Sequence, residues 1–282
     1  MRRYLFFILL LSACTHKTPW FKHSKPKSDF QENHIVIIVP SYNNSEWYRF
    51  NLDSILSQNY TNFEAFYIDD CSTDNTGILV KNYIKKHTFK NITLILNKRR
   101  HGALANIWNA IQQCRPTDII INLDGDDWFS HTNVLSTINT FYQTNDIWLT
   151  YGQFQNWPTQ KIGWCKPVPS EVIKNNQFRE FGFWYAQPRT YYAWLAQKIQ
   201  PKDLVNPKTN DFYTIAGDVA LMFPLIEMAG NHSMHIPEVL CYRNVKTALN
   251  DFKIHQKEQI TFTEEIKKKN KYLPLEKSDL SV

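Results

Sequence analysis

Residues 119–128 read I-I-I-N-L-D-G-D-D-W. An almost unbroken apolar run leads straight into Asp124, Asp126 and Asp127, three carboxylates within four positions. Like charges this close repel one another. Two arrangements tolerate them at a strand end: a solvated turn, or a site that holds a cation. A continuous apolar run bounded by polar residues marks a strand buried on both faces, as in a parallel sheet. Outward from this stretch the same pattern recurs. I-V-I-I-V at 35–39 is stopped by P-S-Y-N-N at 40–44 and followed by a helix over 45–58, with Leu52, Ile55 and Leu56 on one face. A strand over 63–68 is stopped by Asp69 and Asp70 and followed by a helix over 74–86. A strand over 92–96 precedes a helix over 104–113, and 119–123 is the fourth strand.

Strands alternating with helices through short connections predict an α/β fold with a Rossmann-like, mostly parallel central sheet flanked by helices. In such sheets ligands bind beyond the carboxyl ends of the strands. The polar clusters at 40–44, 69–74 and 124–127 all fall there, so they point to one shared site. After about Tyr151 the alternation is lost. W-P, K-P-V-P and Q-P punctuate the chain, with Trp157, Trp164, Trp184 and Trp194 interleaved.

Lys and Arg give a net charge of +6 but are dispersed, with a denser run only at 267–271. That suits weak attraction to a phosphorylated ligand or an anionic membrane and makes no nucleic-acid-binding stripe. The five cysteines have irregular spacing and no CxxC, so neither a zinc site nor a disulfide framework is indicated. Residues 1–14, M-R-R-Y-L-F-F-I-L-L-L-S-A-C, carry a basic start and a short apolar run, as an export segment does. L-S-A-C resembles a lipobox with Cys14 as the residue to be lipidated; the other reading is a short anchor facing the cytoplasm. Either makes the chain membrane-associated through its N-terminus. Residues 15–33 read as a linker, 34–250 as one domain with halves at 34–150 and 151–250, and 251–282 as a helical tail. The basic helix expected at 260–271 reads as a solvated face.

The motifs carry competing chemistries. In D-D-C-S-T-D-N-T (69–76), Asp and Ser can cap the following helix. One cap suffices, however, and the further carboxylates can accept hydrogen bonds from a nucleotide base or ribose. The D-G-D-D cluster offers hard oxygen ligands for Mg²⁺ or Mn²⁺, ions that take one or two carboxylates plus ligand phosphates. Gly125 would let the backbone approach a ligand. An aspartyl phosphotransferase also uses D-x-D after a strand, but it needs Thr or Val where this chain has Trp128, and it uses the first strand rather than the fourth.

V-P-S-Y-N (39–43), D-D-x-S-x-D-x-T (69–76) and L-D-G-D-D (123–127), in this order and spacing, resemble family 2 glycosyltransferases of the GT-A fold. The resemblance covers roughly residues 34–245. T-I-A-G-D-V-A-L-M-F (214–223) and I-P-E-V-L-C-Y-R (236–243) resemble the segment with the catalytic base and the final strand. The resemblance implies an inverting enzyme that moves a sugar from a nucleotide-sugar, by family habit a UDP-sugar, to a glycan or lipid-linked acceptor of the cell surface. It places Pro40 and Tyr42 against the base, Asp70 in hydrogen bonds to it with Asp69 alongside, and Arg99 or Arg100 near the diphosphate. Asp126 and Asp127 would hold the sugar-diphosphate and its Mn²⁺ or Mg²⁺, with Asp124 completing the acidic set. Asp218 would be the general base, a role compatible with capping the helix it begins. Some such enzymes supply a C-terminal His to the metal, which makes His255 a candidate; otherwise it is a surface residue. In F-G-F-W-Y-A-Q-P-R-T-Y-Y-A-W-L (181–195), Trp184 and Arg189 are candidates for contact with the acceptor or donor sugar, and the remaining aromatics read as core and rim. The export segment motivates an alternative, a catalytically silent GT-A-like lipoprotein that binds glycan or nucleotide.

Overall fold

The computed structural model describes residues 31–88, 90–247 and 255–276. The export segment, Cys14 and most of the expected linker lie outside the described residues. Eight strands form one sheet: β1 (Ile35–Ser41), β2 (Phe63–Asp69), β3 (Ile92–Leu96), β4 (Ile119–Asn122), β5 (Trp128–Phe129), β6 (Leu149–Trp157), β7 (Arg189–Tyr192) and β8 (Ser233–Asn244). Their order is β3-β2-β1-β4-β7-β6-β8-β5. β3, β2, β1 and β4 run parallel, as the strand–helix alternation predicts. β7 is antiparallel to both β4 and β6, β8 runs parallel to β6, and β5 is an antiparallel edge on β8.

The helices are α1 (Tyr48–Leu56), α2 (Thr76–His87), α3 (Ala103–Ile111), α4 (Val134–Thr144), α5 (Ser170–Lys174), α6 (Phe178–Phe181), α7 (Ala193–Gln197), α8 (Gly217–Ala229) and a C-terminal helix (Gln256–Lys267). Every residue of β1 and β4 is buried. Side chains alternate across a strand, so the two strands feed two cores. Val36, Ile38 and Ile120 pack with Leu104, Ile107 and Trp108 of α3 and with the apolar length of α8. Ile35, Ile37, Ile119 and Ile121 pack with Leu52 and Ile55 of α1 and with Val134, Leu135 and Ile138 of α4. This two-sided burial is why the opening run has no polar alternation.

Three expectations shift. The second helix starts at Thr76 rather than residue 74, because Asn75 has φ +69°, outside the right-handed helical region. The region after Tyr151 contains two long strands, β6 and β8, which the loss of alternation with helices conceals. The C-terminal helix ends at Lys267 and is more than a solvated face, since Ile266 is buried in the core. Arg179 anchors the end of this helix: it donates to the carbonyls of Ile266, Lys269 and Asn270 while pairing with the fully buried Glu227 of α8. Local pattern cannot show a clamp made across such a sequence distance. Among the described residues, no helix is long and apolar enough to cross a membrane.

Candidate active site

The three polar strand ends are stitched to each other. Gly125 N–H donates to Pro40 O (3.0 Å), and Asp70 N–H donates to Ser41 O (2.8 Å). Asn44 N–H reaches Thr76 Oγ1, and Ser45 N–H reaches Asp74 Oδ2. Asp74 Oδ1 also accepts the Thr76 N–H (3.0 Å), so this one carboxylate serves the start of α2 and leaves Asp69 and Asp70 to other partners. Gly125 is required for a different reason from ligand approach. A Cβ there would lie 2.7 Å from the Ser41 side chain and 2.8 Å from Asn44 Nδ2, so it would separate the ends of β1 and β4.

Together these ends wall a cavity of 1460 Å³, which also takes in the β3–α3 loop, the β7 approach, the start of α8, the end of β8 and the C-terminal helix. The volume exceeds that of a typical small-ligand pocket and has room for two substrates. Of the residues expected at the site, Pro40, Tyr42, Asp70, Arg99, Arg100, Asp124, Asp126, Asp127, Arg189, Asp218 and His255 line it, and Asp69 and Trp184 do not. Asp69 is buried, with Oδ2 accepting the Ser72 N–H at 3.3 Å. Trp184 donates its indole N–H to Phe181 O and carries the Lys166 ammonium 3.7 Å from its ring centroid.

Asp70 organises the loop that leads into α3. Its carboxylate accepts the backbone N–H groups of His101 (2.9 Å) and Gly102 (2.8 Å) and the Asn97 amide (2.8 Å). Burial pushes this carboxyl up, but the Asn106 and Asn97 amides and the two N–H groups outweigh it and hold it below the usual carboxylate range. The same loop sets Arg100 over the Tyr42 ring, 3.8 Å from its centroid.

Across the cavity, Gln187 donates to Asp124 Oδ2 (2.7 Å) and the Asn244 N–H donates to Asp127 Oδ1 (2.8 Å). Burial, then the charges of Asp126 and Asp124, push the Asp127 carboxyl well above the carboxylate range, against the Asn244 N–H and the Arg243 guanidinium. The three carboxyls repel one another in the absence of a counter-ion, and hard oxygen donors of this kind, taken one or two at a time with ligand phosphates, suit a divalent cation. Beside it, the amide Nδ2 atoms of Asn122 and Asn244 are buried with no partner among the described residues. Such donors suit phosphate oxygens. Asp218 stands at the start of α8, with Oδ1 on the Val219 N–H (2.9 Å) and Oδ2 on Arg189 Nη2 (2.8 Å). Arg189 is itself fixed, with Nε donating to Tyr185 O at 2.9 Å. His255 pairs with Glu258 (2.7 Å), and no group of three or more His, Cys, Asp or Glu side chains forms a metal cage among the described residues.

A parallel nucleotide-type half, an acidic strand end and a carboxylate at a helix start facing one cavity together describe a recognisable architecture. The Glycosyl transferase family 2 model matches residues 36–191, more than half of the chain. The chain belongs to glycosyltransferase family 2. Among its relatives, the Escherichia coli UDP-Glc:α-D-GlcNAc-diphosphoundecaprenol β-1,3-glucosyltransferase WfgD is 26% identical over 180 residues, 57% of this chain and 68% of WfgD. The solved structure of S. aureus TarS in complex with UDP matches with a TM-score of 0.58 at 17% identity, over 83% of this chain and 64% of that one. The mannosyltransferase PcManGT from Pyrobaculum calidifontis, in complex with GDP-Man and Mn²⁺, matches with a TM-score of 0.61 at 18% identity, over 91% of this chain and 70% of that one. At these identities the two structures speak for the fold, a GT-A α/β fold with a curled mixed sheet.

For this family 2 glycosyltransferase, sequence reasoning missed Gln187, Arg243 and Asn244. A signal existed for the last two, since they close the final strand at the same carboxyl-end edge as the acidic clusters. Gln187 carried none, because its contact with Asp124 depends on β7 lying antiparallel beside β4.

Proposed function

We propose that this glycosyltransferase moves a sugar from a UDP-sugar to a glycan or lipid-linked acceptor, with inversion at the anomeric carbon. The observation that carries the reading is that one cavity receives both the acidic end of β4 and the Asp218 carboxylate. Tyr42 and Pro40 flank the base, Asp70 holds the loop beside it, and the free amides of Asn122 and Asn244 with Arg243 meet the diphosphate. One or two of the Asp124, Asp126 and Asp127 carboxylates, together with the diphosphate oxygens, would hold Mn²⁺ or Mg²⁺, which when bound neutralises charge on a departing nucleoside diphosphate. Asp218 takes the proton of the acceptor hydroxyl as that oxygen attacks the anomeric carbon. Arg189 keeps the Asp218 carboxylate in one orientation, and Gln187 does the same for Asp124. A single displacement through an oxocarbenium-like transition state inverts the centre. The names of WfgD and of the TarS–UDP complex support the UDP donor and the lipid-linked acceptor, and the PcManGT complex supports the metal. In this reading the N-terminal segment holds the enzyme at a membrane, through a lipidated Cys14 or a cytoplasm-facing anchor. Palmitate incorporation lost in Cys14→Ser separates the two.

The deciding experiment is calorimetric titration of the full chain with UDP, GDP and their common sugars, with and without Mn²⁺. Metal-dependent binding of UDP is the expected result. No binding of any donor in either condition would leave the silent, glycan-binding reading in its place.

A further inference from the structure

Trp164 is 43% exposed and lines the cavity, between two closely packed neighbours. Gly163, before it, has no room for a side chain: a Cβ would lie 2.5 Å from the Phe154 ring and 2.6 Å from Gln153 Oε1. Cys165, after it, is buried, and its carbonyl accepts the Gln153 amide. The indole is braced by Phe154 at 84° and by Trp184 at 74°, both edge contacts. A large apolar ring is thus presented to the cavity on a backbone that cannot retreat. Its neighbours lead to the proposed base. Phe183 lies 6.5 Å from Trp164 between ring centroids, the Arg189 guanidinium lies 5.9 Å from the Phe183 ring, and Arg189 holds Asp218. Asn156, the register partner of Arg243, also lines the cavity, and its Oδ1 is buried with no partner among the described residues.

We propose that Trp164 is the platform on which a pyranose of the acceptor stacks, with Asn156 Oδ1 accepting one of its hydroxyl hydrogens. The inference rests on the glycosyl-transfer reading for the word acceptor, and on the cavity alone for the sugar. A pyranose has an apolar C–H face and a polar rim. An indole braced by two rings and an unsatisfied carbonyl oxygen lining the same cavity meet both needs. The residues set against the nucleotide base lie at the β1 and β2 ends, whereas Trp164 is linked by way of Phe183 and Arg189 to Asp218, where the attacking hydroxyl must sit. Trp184 lacks this geometry, because Lys166 covers its ring.

The test uses the full chain labelled with 5-fluorotryptophan, with the Trp164 and Trp184 fluorine signals assigned from Trp164→Phe and Trp184→Phe. The probes are methyl glucopyranoside and methyl N-acetylglucosaminide, and UDP binding with Mn²⁺ is measured on the same samples. The expected result is a saturable shift of the Trp164 signal with the Trp184 signal still, weakened about tenfold in Asn156→Ala. Trp164→Ala should abolish glycoside binding and Trp164→Phe should retain part of it. A Trp164 signal that neither glycoside moves, in protein that binds UDP, overturns the subsite and leaves the donor reading standing. A Trp164 shift in protein that binds no nucleotide supports the subsite and removes the donor reading instead.

Discussion

At the scale of single residues the site works through carboxylates whose partners fix their direction. Asp218 is held by one arginine nitrogen and one backbone N–H, so its free lone pairs point one way. Asp218→Asn keeps that shape and removes the proposed base; transfer should fall by a factor on the order of 10² or more while UDP binding persists. Full activity in that variant would remove Asp218 from the mechanism. In the proposed mechanism Arg189 positions Asp218. Its fork serves Tyr185 O and Asp218 together, which a lysine cannot do. Arg189→Lys should lower kcat roughly ten- to hundredfold with donor KM little changed, and an equal rise in donor KM would point to donor contact instead. Asp70 gives a pH prediction. Its folded carboxyl lies below the ordinary value near about 3.9, so its contribution is complete above that value and is lost as pH falls through the lowered one. Asp70→Asn should cost about 1–3 kcal/mol at neutral pH, with the gap to the parent closing in acid. A gap that persists unchanged in acid would mean that the ionised carboxylate is not what orders the loop.

At the scale of elements, the Arg179–Glu227 pair joins α6, α8 and the segment after the C-terminal helix. Both side chains are almost fully buried, and Glu227 also accepts the Tyr272 N–H at 3.0 Å. Burial pushes the Glu227 carboxyl above its usual value, against the pull of Arg179. A carboxyl raised on folding costs stability as pH rises from its unfolded value through its folded one. Arg179→Met removes the opposing charge. It should lower stability by about 3–5 kcal/mol at neutral pH, less near pH 4, where Glu227 is protonated. Denaturant midpoints at the two pH values test this, and Arg179→Met with Glu227→Leu should recover most of the loss. A loss equal at both pH values would assign the effect to packing. The C-terminal helix shares in this clamp, and its residues Gln259, Ile260 and Thr263 line the cavity, so the clamp also sets the position of one cavity wall.

For the whole molecule, the donor site should couple to global stability. A ligand that binds only the folded state at about 100 times its Kd adds about 2.7 kcal/mol. For a chain of this size that corresponds to roughly 5–10 °C in Tm. UDP with Mn²⁺ should produce such a shift. Chelation should remove it, and Asp127→Asn should reduce it, since that change replaces a carboxylate oxygen of the proposed metal set with an amide nitrogen. A shift by UDP that is indifferent to chelation would take the metal out of donor binding.

The sequence by itself determined the parallel half and its binding edge. Unbroken β-branched runs can only be two-sided strands, and the polar residues that stop them must lie at one edge. That is why Asp70 and Asp126 are legible in the chain alone. Arg100 and Asp218 are legible too, but through the likeness of the chain to a known family. What only the tertiary structure decided are contacts made across the chain. β7 inserts antiparallel between β4 and β6, which brings Gln187 to Asp124 and Arg189 to Asp218. The cavity wall that carries Trp164 is set by Gly163 against Phe154, and the C-terminal helix is drawn onto the core by Arg179. Periodicity reports which face of an element is buried, because burial repeats along the chain. It does not report which distant element covers that face, so it could not tell a covered tryptophan at 184 from an open one at 164.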